Sequence, residues 1–505
     1  MSGADASSGR ETRQTLPRLC EATLSRIGPG VARPDYDRQS TSVGVVHFGP
    51  GAFHRVHQAW FFERMLARDP RWAICAVSLR SESLQEALAP QDGLYTLAIR
   101  DESVAFQVIG ALREILVAPR QQEAVLRRLR DARTRLVTIT VTEKGYCLGA
   151  DGEIDLSHPD IRHDLETPHT PLSLPGYLVE GLRLRREAGL PPLTVISCDN
   201  LDDNGARLRR AVVRLAETRD YDLARWIESE IAFPRTMVDS ITPATTDALR
   251  EEVAAALGLQ DRWPVQREAF LQWVIEERFS SQVPDWEQAG VTLTDDVSGY
   301  DRAKLRLLNG AHSTLAYVGL LAGFATVAQA MSEPALAVFV RTMMLEDILP
   351  TLRPPRGLGL CAYVEAILKR FRNPGIEHAL AQIAWDGSKK LPVRLLGTIH
   401  DNLAAGRPIA RLCVPIAAWM RFVRNKALSG ARAVDPLSDE LYDIGRACTG
   451  EPGQDVARFL ALRAVFPSGL AAEPGFVAGV QRAYELLGAD ARAIPERLRD
   501  LLPRA

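Results

Sequence analysis

The sequence predicts an α/β amino-terminal half built on a mainly parallel sheet, followed by a mainly α-helical carboxyl-terminal half. Three observations lead there. β-Rich runs alternate with helical stretches up to about residue 285, a Gly-x-Gly turn follows the first clear run, and beyond residue 285 helical periodicity takes over.

Taken in order, residues 1–15 are polar and Ser-rich, lack the apolar stretch of a secretion signal, and read as a disordered lead-in. Residues 43–48 form a buried-strand pattern, 52–67 a helix and 72–79 a second strand. Residues 95–99 and 104–109 read as a hairpin inserted before the next unit. A helix over 121–132 leads into a strand at 136–142, and a helix over 175–187 leads into a strand at 193–198. The helical half follows at 300–321, 333–345, 360–372, 376–385 and 409–423, with breaks at Leu349-Pro350 and Pro354-Pro355-Arg356-Gly357. The expected organisation is a leader over 1–40, partly disordered, a dinucleotide-binding domain over 41–285 and a helical substrate domain over 286–505.

A chain of 505 residues exceeds one compact core, and 46% hydrophobic with 25% charged residues is ordinary for a globular protein. A net charge of −2 argues against nucleic-acid or membrane-surface partners. No apolar run approaches the roughly 20 residues that span a bilayer. The seven cysteines are scattered and form no Cys-x-x-Cys pair, which fits reduced thiols in a cytoplasmic protein better than zinc or disulfides. Only six of the 61 basic residues are lysines: Lys144, Lys304, Lys369, Lys389, Lys390 and Lys426. Arginine cannot act as a base and lysine can, so a chain this rich in arginine draws attention to each lysine it keeps.

The first strand runs into Gly49-Pro50-Gly51-Ala52-Phe53-His54 and then helix. Glycine there permits a tight turn and close approach of the backbone to a pyrophosphate, but His54 stands where the usual fingerprint has a third glycine. Gly49, Gly51, Ala52 and Phe53 are therefore expected at the cofactor. The second strand ends Leu79-Arg80-Ser81-Glu82. Glu82 would hold the ribose hydroxyls of NAD, whereas Arg80 would accept the phosphate of NADP; the reading leans to NAD without excluding NADP. His54 and His57 have a His-x-x-His spacing but no acidic or cysteine partner nearby, so they read as helix histidines near the cofactor mouth and no metal is expected.

On an α-helix, Asn309 lies about 140° around from Lys304, with His312 between them at about 80°. The three share one broad face. A desolvated lysine can take the proton of an alcohol as hydride leaves, and an asparagine amide can stabilise the alkoxide. Asn200, in Ser197-Cys198-Asp199-Asn200, and Glu143, in Thr142-Glu143-Lys144-Gly145-Tyr146, follow strands whose carboxyl ends gather ligands in open α/β sheets.

Together these residues resemble the mannitol dehydrogenase family, the polyol-specific long-chain dehydrogenases, over nearly the full chain from about residue 42. The segments that carry the resemblance are GPGAFHRVHQAW, QDGLYTL, TITVTEKGYC, SCDNLDDNGARL, FPRTMVDSITPAT, FLQWVIEERF and KLRLLNGAHSTLAYVG. The resemblance implies a Rossmann-type amino-terminal domain, a helical carboxyl-terminal one, and a zinc-independent NAD(P)-dependent interconversion of secondary alcohol and ketone. It puts the catalytic lysine on Lys304, the oxyanion asparagines on Asn200 and Asn309, the substrate-orienting histidine on His312 and the glutamate of the proton path on Glu143. The absent third glycine is the family's own habit. One departure is Val238-Asp239-Ser240, where the family usually has Val-Asp-Arg.

TVTEKGYC, IRHDLETPHTPLSLPGYLVEGLRLRREAGL and IAWDGSKKLPVRLL look more like D-fructuronate reductases (D-mannonate oxidoreductases) than mannitol 2-dehydrogenases. A sugar acid needs a cation for its carboxylate, with Lys144, Arg370, Lys390 and Arg394 as candidates. The alternatives are a mannitol 2-dehydrogenase or another polyol or altronate dehydrogenase of the family. A non-catalytic dinucleotide sensor is disfavoured because Lys304, Asn309, His312 and Asn200 are all present. No feature of the sequence fixes an oligomeric state.

Overall fold

The computed structural model describes residues 16–488 and 490–503. The chain divides into two compact units: Val104–Leu293 with the chain up to Arg100, and Asp101–Ser103 with the chain from Thr294.

The first unit is built on a five-stranded parallel sheet of β1 (Val43–Phe48), β2 (Ala73–Ser78), β3 (Leu112–Val117), β4 (Leu136–Ile139) and β5 (Thr194–Ser197). Its spatial order is β3-β2-β1-β4-β5, the doubly wound order of a Rossmann-type domain. Strands β1, β2, β4 and β5 are buried at every position, as their mainly apolar sequences require when helices cover both faces. Val46, Phe48, Cys75 and Val77 pack on one side with the helix Leu174–Glu187. Val45, Ile74 and Ala76 pack on the other with Phe61, Phe62 and Trp273. Each fully buried large side chain contributes about 1.5–3 kcal/mol. The expected hairpin exists, Tyr95–Arg100 against Val104–Ile109 in antiparallel register.

Three local expectations change. The helix over 52–67 is broken into Ala52–Val56 and Gln58–Leu66 at His57, which has φ −112° and ψ −90°. Strand β3 was not anticipated, because Leu112-Arg113-Glu114-Ile115-Leu116-Val117 mixes charge with apolar residues at a sheet edge. The stretch 16–40 is folded rather than a loose leader, while the lead-in over 1–15 lies outside the described residues. Val31–Ala32 pairs in parallel with Phe106–Gln107. Buried Arg38 donates to the carbonyls of Gly110, Asp92 and Leu112 at 3.0, 2.7 and 3.1 Å and pairs with Glu21 at 2.9 Å.

Beside Arg38, buried Glu63 accepts from Gly110 N–H at 2.7 Å and the Tyr36 hydroxyl at 3.0 Å. Burial outweighs these bonds and pushes the Glu63 carboxyl up to about 7. Between its ordinary pKa and pH 7 the unfolded chain has released this proton and the folded chain keeps it, so this group lowers stability as pH rises, by about 3 kcal/mol in all. Glu63→Gln is expected to flatten that slope when unfolding is measured by denaturant at pH 5 and pH 8. A variant with the parent's slope would contradict the assignment.

The second unit is helical. Its central element, residues 297–321, comprises the α-helical stretches Val297–Ala303 and Gly310–Leu321 with a π-helical turn, Lys304–Asn309, between them. Leu360–Arg372 and Ala410–Leu428 match expectation, whereas only Leu380–Ile383 of the stretch 376–385 is helical. Ser438–Ala447, Pro452–Leu460 and Pro474–Leu487 complete the major helices. Among the described residues no helix is long and apolar enough to cross a membrane.

Candidate active site

The carboxyl ends of β1, β2 and β4 open onto a pocket of about 820 Å³ in the first unit. It lies where the strand order reverses between β1 and β4, the place where open α/β sheets take their ligands. Gly49 turns the chain there with φ +86°, and a Cβ on it would stand 2.2 Å from the Thr140 carbonyl oxygen. Only glycine fits. Gly51 precedes the helix Ala52–Val56 with open space in front of it, so the backbone is free to approach a ligand. Gly49, Gly51 and Ala52 line the pocket.

Phe53 and Glu82 do not. Phe53 lies one residue into the helix and its ring stacks on His57 at 4.9 Å. The Glu82 carboxylate is turned to Arg120 at 2.6 Å, leaving Arg80, Ser81 and Ser83 at that end of the pocket. Arg80 is largely exposed and meets Asp160 at 3.4 Å. His54 and His57 are buried, and among the described residues no group of three or more His, Cys, Asp or Glu could hold a metal ion.

The loops after β4 and β5 are tied by a residue the sequence reading passed over. The Asp199 carboxylate accepts from the backbone of Val141 and Thr142 at 3.0 and 2.9 Å and from the Tyr146 hydroxyl at 2.7 Å. Burial raises the pKa of Asp199 despite those bonds. Asn204, fully buried, donates to the Asp199 and Thr236 carbonyls at 3.0 Å each. These anchors leave Glu143, Lys144 and Asn200 exposed at the loop surfaces. Lys144 lines the first-unit pocket, and Arg370, Lys390 and Arg394 belong to the second unit. Asp239 is buried opposite Gln272 in an antiparallel pair, and Ser240 donates to the Phe270 carbonyl at 3.1 Å.

In the second unit the π-turn corrects the expected helix geometry. Gly310 N–H reaches back five residues to the Leu305 carbonyl, the i→i+5 pattern that defines the turn. The turn is wider than an α-helical one, so Asn309 lies closer around the helix to Lys304 than α-helical spacing would put it. Gly310 follows where the chain is crowded, with its Cβ position 3.3 Å from the Arg394 carbonyl oxygen.

His312 is buried one turn further on, its ring 4.5 Å from Phe371 and 5.1 Å from His378. Its Nε2 has no hydrogen-bond partner among the described residues. Burial, then the nearby His378, Arg370, Arg394 and Lys390, holds its pKa well below the ordinary histidine value, so the ring is neutral. Burial likewise lowers Arg394 to about 10 and depresses Lys390. Arg394 Nη1 donates to Ser313 Oγ at 3.1 Å and to the Asn309 carbonyl at 3.5 Å; Lys390 Nζ donates to the Ile383 carbonyl at 3.3 Å. Neither cation has a carboxylate at ion-pair distance among the described residues. Arg370 is buried in the same neighbourhood.

Comparison with known proteins agrees across both units. Residues 43–288 match the mannitol dehydrogenase Rossmann domain and residues 296–488 the mannitol dehydrogenase C-terminal domain. The chain is 41% identical over 466 residues to the D-mannonate oxidoreductase of Escherichia coli K12, covering 90% of this chain and 96% of that one. It superimposes on the Pseudomonas fluorescens mannitol 2-dehydrogenase ternary complex with NAD and D-mannitol with a TM-score of 0.79 at 34% identity, covering 96% of this chain and 99% of that one. For a D-sorbitol dehydrogenase in substrate-free form the TM-score is 0.87 at 32% identity, covering 94% of this chain and 99% of that one.

Proposed function

The chain belongs to the mannitol dehydrogenase family of oxidoreductases, and from that premise we propose that it interconverts D-mannonate and D-fructuronate with NAD(H). The observation that carries the sugar-acid reading is the group of cations around His312. Arg394 and Lys390 are half-buried with no carboxylate at ion-pair distance among the described residues, and Arg370 lies beside them. Partly buried positive charge without a direct ion pair is costly, with Asp386 and Asp435 acting on Lys390 only at longer range, and an anionic substrate group would relieve it. A carboxylate suits guanidinium donors especially well. The 41% identity to a D-mannonate oxidoreductase supports the same substrate.

The glycine turn and the pocket beyond it fit a dinucleotide: the Gly49 position excludes any side chain, and the space before Gly51 admits a pyrophosphate. The bound nicotinamide would supply or take up the hydride. Lys304 donates a proton to the ketone oxygen in reduction and removes it from the alcohol in oxidation. Asn309 donates an amide hydrogen to that oxygen while it carries alkoxide charge, the role that the family resemblance also gives Asn200. Neutral His312 holds a neighbouring substrate hydroxyl through the unpartnered Nε2, and Glu143 passes the proton on to water. The Arg370, Lys390 and Arg394 set receives the carboxylate.

A second cofactor reading draws support from one observation. Glu82 is held by Arg120 while Arg80, Ser81 and Ser83 line the pocket, a surface that would also receive the phosphate of NADPH. Steady-state oxidation of NADH and NADPH with fructuronate, tagaturonate, fructose and xylulose tests both proposals. Fructuronate with NADH is expected to give the highest kcat/KM, and a preference for fructose would overturn the sugar-acid reading.

A further inference from the structure

The third glycine of the usual dinucleotide loop lets the helix pack closely on its strand. Here that position is His54, and a second histidine meets it. His47 of β1 and His54 are both fully buried, and their rings stack with centroids 3.3 Å apart and planes 15° from parallel. Strand and helix thus touch through two flat rings where other loops bring backbone to backbone.

The nitrogens of His47 connect the stack to the loop. Nδ1 lies 2.8 Å from Thr138 Oγ1, and Nε2 lies 2.9 Å from Thr140 Oγ1. The Thr140 hydroxyl in turn donates to the Gly49 carbonyl at 2.7 Å. A hydroxyl has one hydrogen, and that of Thr140 is committed to Gly49. Thr140 therefore accepts from His47 Nε2–H, and Nδ1 accepts from the Thr138 hydroxyl. Burial holds His47 at about 3, so at neutral pH the ring is neutral and this single direction of donation persists. The Gly49 carbonyl also accepts from Gly51 N–H at 2.7 Å, which closes the turn.

We propose that His47 and Thr140 are positioning residues for the dinucleotide: the chain of hydrogen bonds from Thr138 through His47 and Thr140 fixes the Gly49 carbonyl, and with it the Gly49–Gly51 turn, while the His47–His54 stack takes the place of the third glycine. The proposal rests on reading the first-unit pocket as the nucleotide site. Neither residue is asked to touch the reacting atoms.

The test is NADH binding, followed by fluorescence titration, in the full-length chain. Thr140→Val keeps the shape and removes the donor to Gly49, and is expected to raise the NADH Kd on the order of tenfold. Thr140→Ser restores the hydroxyl and is expected to bind within about threefold of the parent, while kcat at saturating NADH falls less in Thr140→Val than affinity does. His47→Phe keeps a stacking ring without its donor and is expected to weaken NADH binding similarly; it decides the matter if Thr140→Val does not fold. Parental Kd in the folded valine or phenylalanine variant, or a serine variant as weak as valine, would overturn the proposal. A parent chain that fails to bind NADH at all would instead overturn the nucleotide reading.

Discussion

Lys304→Ala is expected to lose about three orders of magnitude or more in kcat in both directions while binding NADH as the parent does. General acid–base catalysis by one positioned group accounts for about 10²–10⁴ in rate, and an alanine leaves no titratable group at that point of the helix. The π-turn sharpens the expectation. It brings Asn309 closer around the helix to Lys304 than α-helical spacing does, so the proton donor and one amide donor share a narrower face. Lys304→Arg keeps the charge and is expected to be nearly as inactive, because arginine does not release its proton. Stopped-flow reduction of the ketone under single-turnover conditions separates the chemical step from product release. Near-parental turnover in either variant would remove Lys304 from the mechanism.

Arg394→Leu is expected to separate the two substrate readings. Arg394 supports the Asn309 carbonyl and Ser313, so its loss should slow sugar acids and neutral ketoses alike by a modest factor. The sugar acid should suffer in addition, because removing one partner of a buried charged contact costs several kcal/mol. The ratio of kcat/KM for fructuronate over fructose should fall about 10²-fold. An unchanged ratio would assign Arg394 to holding the π-turn and leave the carboxylate to other groups.

Much of this was legible in the chain because the determinants are local. The mainly apolar strand runs, the Gly-x-Gly turn and the Lys304–Asn309–His312 spacing each declare themselves over a few residues. The features that were not legible depend on what packs from afar. An α-helical reading of residues 304–309 puts Asn309 about 140° around from Lys304; the chain forms a π-turn there instead, and no propensity signals it. Glu82 has the right chemistry for a ribose, yet Arg120, 38 residues further along, turns it aside. Asp199 was overshadowed by its neighbour Asn200, although Asp199 holds the loops together. His54 was weighed as a defect in a glycine pattern, and only the position of His47 gives it a partner. The polar run at 1–15 suggests a leader that extends to residue 40, but Arg38 donates to three carbonyls far along the chain.

In the proposed reaction the cations gathered about His312 in the second unit, Arg370, Lys390 and Arg394, serve a sugar acid handled by Lys304. The most direct measurement is kcat/KM for the parent protein with D-fructuronate and with D-fructose, each followed by NADH oxidation under the same conditions. Fructuronate is expected to be preferred by about 10² or more, the worth of one well-formed charge-assisted contact in a desolvated site. Equal efficiency, or a preference for fructose, would contradict it.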